Sequence, residues 1–302
     1  MVRGRRRGYP AGMYRADDHP HLVPLDGSFQ LAQAPTRPPE KRGRKHWEKR
    51  LASTVSDLRT LQRVLYASDH HAVLLVFQAM DAAGKDGTIR AVLSGLDPAG
   101  CQVFSFKRPS SEEIDHDFLW RTARSLPERG RIGIFNRSYY EEVLVVRVHP
   151  GILDHQRLPH RSDGEELWRE RLESIADHER HLARNGTVIL KFWLNVSRDE
   201  QRRRFLARID DPARQWKFEA GDVRERGHWD AYMAAYEDAL RATSTPWAPW
   251  YAIPADNKGY MRFAVADIVR RTLMGLGLRY PELSDEERAE MLALREKLLA
   301  EP

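Results

Sequence analysis

The hydrophobic pattern of the chain is clearest at Ala72 to Phe77, an unbroken apolar run rich in Val and Leu. A short run without alternation predicts a strand buried on both faces, as in a parallel sheet. Small residues follow, Ala82, Ala83 and Gly84, then Lys85, then a helical pattern in Ile89, Val92, Leu93 and Leu96 that stops at Asp97-Pro98. Ahead of this unit, Leu51, Val55, Leu58, Leu61 and Leu65 recur at helical spacing and predict an amphipathic helix over 46–66. Further strands are expected at 102–106, 131–135, 187–194 and 251–254. Ser110-x-x-Glu113 and Ser197-x-x-Glu200 are capping boxes, the first opening a helix through Trp120, the second a helix over 198–209. Helices are also expected over 165–184, 227–243, 257–276 and 284–300. Strands alternating with helices, and no internal repeat, predict an α/β fold with a mostly parallel five-stranded sheet and right-handed crossovers.

Residues 1–44 break this pattern. They hold Arg3, Arg5, Arg6 and Arg7, six prolines and little periodicity, and read as an extended or disordered basic arm. The arm is either a polyanion-binding tail or a solubilising extension that packs locally near Tyr9 and Tyr14. The expected division is therefore 1–44, arm, and 45–302, one domain with a lid at about 200–228.

Composition narrows the class. Of 302 residues, 41% are apolar and 31% charged, with a formal charge of +5, which suits a basic protein with a sizeable core and polyanionic partners. No apolar run approaches the roughly 18 residues of a membrane span. The Arg-rich start lacks an apolar h-region, so no secretory signal is read and a cytoplasmic protein is expected. The single cysteine, Cys101, allows no internal disulfide and reads as a buried small residue.

Strand, Gly-Lys loop and helix together form the context of a phosphate-binding loop. Backbone N–H groups at the helix N-terminus face the anion, and the lysine reaches the terminal phosphates. The match to G-x-x-x-x-G-K-[ST] is imperfect. Ala79 stands where the first Gly belongs and Asp86 where the Ser or Thr belongs, although Thr88 follows. An ordinary strand-to-helix turn stays open on this pattern alone. Asp81 inside the loop would repel phosphate unless it holds a metal that bridges to it. Asn136 to Glu142 ends the third strand, at the sheet edge where ligands bind in open parallel sheets. Over 198–218, Arg202, Arg203, Arg204 and Arg208 precede Asp210-Asp211-Pro212 and Trp216-Lys217-Phe218. This is a solvated basic helix or a mobile lid carrying cations over phosphates, and its aromatic content favours the lid. His178 and His181 share a face of the 165–184 helix and read as solvated rather than as a metal pair.

These blocks, taken together, resemble a known family. FQAMDAAGKDGTI, KRPSSEEIDHDFLWR, IFNRSYYEEVLVVRVHP, ARIDDPARQWKFEAGDVRERGHWDAY and PWYAIPADNK are similar, in the same order, to the polyphosphate kinase 2 family over about 47–277. The resemblance implies a three-layer α/β/α domain of the P-loop kinase kind with a helical lid. It implies transfer of phosphate from inorganic polyphosphate to a nucleotide with Mg²⁺, or Mn²⁺ in its place. Carried over by motif, Ala82, Ala83, Gly84, Lys85, Asp86, Gly87 and Thr88 form the phosphate loop, and Asp81 is its metal-associated carboxylate. Lys107 and Arg108 are basic residues near the phosphates, Asn136 and Arg137 form the second motif, and Arg208 and Lys217 sit on the lid. Many members read Asp-Arg-Ser-Trp-Tyr-Asn-Arg at the second motif. Asn136-Arg137-Ser138-Tyr139-Tyr140-Glu141-Glu142 instead resembles the subgroup accepting both AMP and ADP, with Glu142 in the nucleotide site. Loss of the Asp leaves Asp81 as the surer metal carboxylate.

The expected catalytic set is Asp81, Lys85, Arg137, Arg208 and Lys217. No Cys, His or Ser stands out as a covalent nucleophile, so direct in-line, reversible transfer is expected. An NTP-dependent nucleotide kinase and a non-enzymatic polyanion-binding module are the rival readings. A homo-oligomer, dimer or tetramer, is expected, with no membrane or nucleic-acid partner.

Overall fold

A computed structural model describes residues 13–301, the side chain of Lys217 excepted. Five strands form one sheet, β1 (Ala72–Gln78), β2 (Cys101–Ser105), β3 (Ile132–Asn136), β4 (Thr187–Asn195) and β5 (Trp250–Pro254). Their spatial order is β2-β3-β1-β4-β5 and every pairing is parallel. The apolar run of β1 is central and buried throughout, which is why it needs no alternation.

The helices are α1 (Arg44–Ser68), α2 (Lys85–Leu93), α3 (Ser111–Ile114), α4 (Trp120–Ala123), α5 (Glu141–Val148), α6 (Gly164–Arg184), α7 (Arg198–Ile209), α8 (Ala220–Gly227), α9 (Trp229–Thr243), α10 (Lys258–Gly275) and α11 (Asp285–Leu299). α1, α2 and α10 pack together on one side of the sheet, and α5, α6 and α9 on the other, giving the expected three layers. No helix among the described residues is long and apolar enough to cross a membrane.

Some expectations fail locally. The Ser110 capping box forms, with both reciprocal hydrogen bonds, but its helix ends after one turn at Ile114, and Asp117 then turns the chain by accepting from the Leu119 N–H before α4 begins. α5 and α8 were not anticipated from the pattern, because neither carries a side-chain N-cap. His178 is half-buried with its ring edge against Tyr139, not solvated, and burial lowers its pKa. Cys101 is half-buried beside the Gln62 amide, and burial pushes its thiol up to about 11.

The arm divides. Arg3, Arg5, Arg6, Arg7 and Tyr9 lie outside the described residues. Residues 13–43 are largely extended, broken by turns and a 3₁₀ helix at Leu31–Gln33, and are packed rather than disordered. Leu22 bridges antiparallel to Tyr251, with backbone hydrogen bonds from Val23 N–H to Trp250 and from Ala252 N–H to His21. This strap covers the outer edge of β5, and Val23 and Phe29 are part of the core. The composition of the arm hid this, because two or three apolar anchors suffice to dock an extended segment onto an edge strand.

Candidate active site

The C-terminal ends of β1 and β3 are level, Phe77 pairing with Asn136. The loop after β1 therefore lies beside the segment after β3. Gly84 caps α2 in the left-handed region at φ 107°, a conformation that favours glycine, and a Cβ there would lie 3.1 Å from Met261 Cε. Ala82, at φ 59°, and Arg137, at φ 67°, are also left-handed although neither is glycine. Such strain, of order 1–3 kcal/mol at each residue, persists only where surrounding contacts hold it, and it clusters at functional sites.

Those contacts come from α7. Gln201 donates to the Asp81 carbonyl at 2.9 Å, and Arg204 donates to the carbonyls of Ala82 at 3.2 Å and Ala83 at 2.5 Å. Arg204 also donates to the Ala255 carbonyl after β5 at 2.5 Å and is paired with Glu200 at 2.8 Å. The carbonyls of residues 81–83 are thus turned toward α7, and the Ala83 N–H closes the turn onto the Met80 carbonyl.

Lys85 begins α2. Its Nζ is buried and donates to the Ala79 carbonyl at 2.7 Å, spanning the loop from its far end. Burial, and next the Arg137 charge, push the ammonium down to about 8. Thr88 is buried, its hydroxyl turned back to the Gly84 carbonyl. Gly87 exposes the helix start on the side of Arg262, whose Nη2 lies 3.2 Å from where a Cβ would stand.

Arg137 is the centre of the polar cluster. It donates to Asp81 at 2.8 Å and to Glu141 at 3.0 Å, and Glu141 accepts in turn from Gln78 at 3.0 Å. Two flanking carboxylates, Glu141 first, hold its guanidinium firmly charged. Asn136 donates to Asp86 at 2.9 Å, tying the second motif to the start of α2. From α7, Arg208 pairs with Asp222 on α8 at 3.1 Å. Burial and then the Asp81 charge raise the Asp222 carboxyl, so Asp222 faces the loop acid.

The fold therefore gathers Asp81, Ala82, Ala83, Gly84, Lys85, Asp86, Gly87, Thr88, Asn136 and Arg137, with Arg208 on α7 nearby. Glu142 is not among them. Its buried carboxylate accepts from Gln156 and pairs with Arg171 at 3.2 Å, not with Arg137. Glu141, one residue earlier, takes the place by the cluster. Lys107 and Arg108 are exposed beyond β2, the Lys107 carbonyl accepting from Arg121. Lys217 ends the short 3₁₀ helix Gln215–Lys217, and its side chain lies outside what is described. Sequence reading missed Glu141, Gln201, Arg204 and Asp222. Arg204 lay inside a charge run that gave no hint which arginine points inward.

No three His, Cys, Asp or Glu side chains among the described residues form a metal cluster. The donor at hand is the Asp81 carboxylate; Asp222 faces it but is paired with Arg208. One or two carboxylates completed by phosphate oxygens and water suit Mg²⁺, a hard cation that keeps several of its waters. An anion cradle of N–H groups, a buried lysine and a fixed arginine around acidic side chains is equipped to position phosphoryl groups and neutralise their charge.

Comparison with known proteins points the same way. The sequence profile of the family Polyphosphate kinase 2 (PPK2) matches residues 41–276. An ADP-polyphosphate phosphotransferase of Rhodopseudomonas palustris is 55% identical, over 89% of this chain and 94% of its own. An AMP/ADP-polyphosphate phosphotransferase of Meiothermus ruber is 48% identical, over 74% of this chain and 80% of its own. The crystal structure of a polyphosphate kinase 2 from Arthrobacter aurescens TC1 superposes with a TM-score of 0.81 at 39% identity, covering 89% of this chain and 93% of that one.

Proposed function

The chain belongs to the polyphosphate kinase 2 family, and on that premise we propose that it transfers a phosphoryl group from inorganic polyphosphate to AMP and to ADP, reversibly. The observation that carries the reading is the loop of residues 81–88, with Lys85 buried across it and Arg137 fixed beside Asp81. Phosphoryl transfer needs positioning and charge neutralisation more than covalent chemistry, and this loop is built for both.

Loop N–H groups and Lys85 bind the phosphate that moves. Arg137, oriented by Asp81 and Glu141, presents its guanidinium to the charge spread over that phosphate's oxygens. Asp81 would hold Mg²⁺, which when bound would supply charge neutralisation for the phosphates. The lid, read as 200–228, brings Arg208 and Lys217 over the site and excludes water. No covalent enzyme intermediate is needed, so transfer is direct. The exchange of one phosphoanhydride for another leaves a small free-energy difference, which makes it reversible. A cytoplasmic location fits these substrates.

The dual acceptor rests on the second motif, Asn136 to Glu142, and on similarity to the Meiothermus ruber protein, whose name carries both acceptors. Incubation with AMP, polyphosphate and Mg²⁺, with products separated by chromatography, tests both parts. ADP is expected first and ATP later. ADP with no ATP refutes the dual acceptor, and no product unless an NTP is added refutes the polyphosphate donor.

A further inference from the structure

Arg137 can serve a transferring phosphate only if the turn that carries it is held still. We propose that the buried pair Glu179–Lys191, with the hydroxyls of Tyr139 and Tyr140, is the anchor of that turn, and that these four are positioning residues for phosphoryl transfer. This rests on the functional reading above and deepens it, because it assigns what keeps Arg137 aimed.

The turn has little rigidity of its own. Arg137 is left-handed at φ 67°, a conformation that costs a non-glycine residue free energy unless its surroundings impose it. Contacts from α7 hold residues 81–83 of the facing loop, so Arg137 is held from elsewhere. Its N–H donates to the Phe77 carbonyl at 3.1 Å, which ties one side of the turn to the end of β1. The other side enters α5 at Tyr140, an N-cap whose side chain makes no capping hydrogen bond. Ser138 Oγ accepts the Tyr140 N–H at 3.2 Å, a bond within the turn itself. The two tyrosine rings are what join this side to the layers around it.

Both rings are buried. The Tyr139 hydroxyl donates to Glu179 Oε1 at 2.9 Å, and the Tyr140 hydroxyl stands 3.0 Å from the same oxygen and 2.7 Å from the Thr243 hydroxyl. Lys191 closes the network, donating to Glu179 Oε2 at 2.5 Å and to the Tyr140 hydroxyl at 2.9 Å. Lys191 lies on β4 level with Val76 of β1, one position before Phe77. The turn is thus fixed twice at one level of the sheet, through its backbone to β1 and through its rings to β4. An ion pair buried in this way adds little net stability over apolar residues of the same shape, so stability alone does not account for it. What it supplies is direction. A ring held by apolar contact can slide, whereas charge-assisted hydrogen bonds in a dry network fix where each hydroxyl stands. A misplacement of about 1 Å at a reacting centre can cost about a hundredfold in rate, and Arg137 is two residues from Tyr139.

The test begins with Tyr139→Phe and Tyr140→Phe together, which keep both rings and the ion pair and remove only the hydroxyls. This variant should lower kcat about tenfold with each KM within about twofold of wild type, the signature of an interaction made in the transition state alone. In an Arg137→Gln background the same two substitutions should cost about twofold or less, because they act through that guanidinium. The second measurement uses Lys191→Met with Glu179→Leu. Whatever melting temperature that variant reaches, its kcat should stay down about tenfold, since apolar replacements give the hydroxyls nothing to hold. Wild-type kcat in the tyrosine variant overturns the anchor. So does a loss as large without Arg137 as with it, or a kcat that recovers with melting temperature in the Lys191 and Glu179 variant. Rates are taken with polyphosphate and, in parallel, with ATP as donor to AMP. Wild-type turnover with ATP alone overturns the polyphosphate reading, and the anchor is then judged by the same ratios with ATP.

Discussion

Lys85 shows how a single buried group ties chemistry to pH. Its ammonium is pushed down to about 8 in the free enzyme, chiefly by burial. The protonated form binds phosphate, so kcat/KM should fall as pH rises through about 8. A bound phosphate favours the charge, so the matching limb in kcat should lie higher. Stability moves the other way. The folded pKa is below the unfolded value of about 10.4, so the folded state holds fewer protons between the two and the cost of the buried charge is relieved as pH rises across that window. Activity lost above pH 8 with no loss of melting temperature is therefore the expected signature, and Lys85→Met should cost at least about a hundredfold in kcat/KM at pH 7. A flat profile in the wild type would remove Lys85 from phosphate binding. Lys85, Gly84 and Asp81 were legible in the sequence because they are a few residues apart on one turn. Glu141 was not, since successive residues on a helix point about 100° apart and nothing in the sequence marked where α5 begins.

At the scale of elements, the proposed lid and the phosphate loop share a helix. α7 grips the loop through Gln201 and Arg204 and reaches α8 through Arg208 and Asp222. Arg208→Ala should lower kcat/KM tenfold or more. It should barely move the melting temperature, because a partly exposed ion pair contributes about 1 kcal/mol or less. Asp222→Asn keeps the arginine and should lose far less activity. Equal losses in the two variants, measured side by side, would make the pair a hinge contact and take Arg208 out of the chemistry. Sequence reading found α7 to the residue because Ser197 caps it and accepts from Glu200 N–H. It could not see the grip, which depends on carbonyl directions that only the folded loop defines.

Across the whole molecule, one buried ion pair joins the layers. Lys191 in the middle of β4 donates to Glu179 of α6 at 2.5 Å, to the Tyr140 hydroxyl at 2.9 Å and to the Thr243 carbonyl at 2.7 Å. Glu179 also accepts from the Tyr139 and Tyr140 hydroxyls, and both charged residues are fully enclosed. Burial pushes Lys191 down and Glu179 up, and their mutual attraction and hydrogen bonds offset it. Lys191→Met alone should destabilise by about 3–5 kcal/mol, because it leaves a carboxylate buried without its cation. Adding Glu179→Leu should recover much of the loss in chemical denaturation, and a double variant no more stable than the single would show that shape, not charge, sets the penalty. The sheet and its layers were legible because burial and chain order dictate them. This pair was not, since its partners sit on different elements and each looks like an ordinary charge in a strand or a helix.

The strap on β5 also sets an order of events in time. The Ser244 hydroxyl and the Val23 carbonyl it binds are 221 residues apart in the chain. At 5–20 residues per second, a ribosome needs on the order of ten to forty seconds to make the edge that the strap must wait for. Until β5 is made, Val23 and Phe29 lack the edge on which the strap docks. Val23→Ala should accordingly speed unfolding while leaving the refolding rate nearly unchanged, as stopped-flow fluorescence would read it. Slowed refolding would place the strap in the nucleus instead.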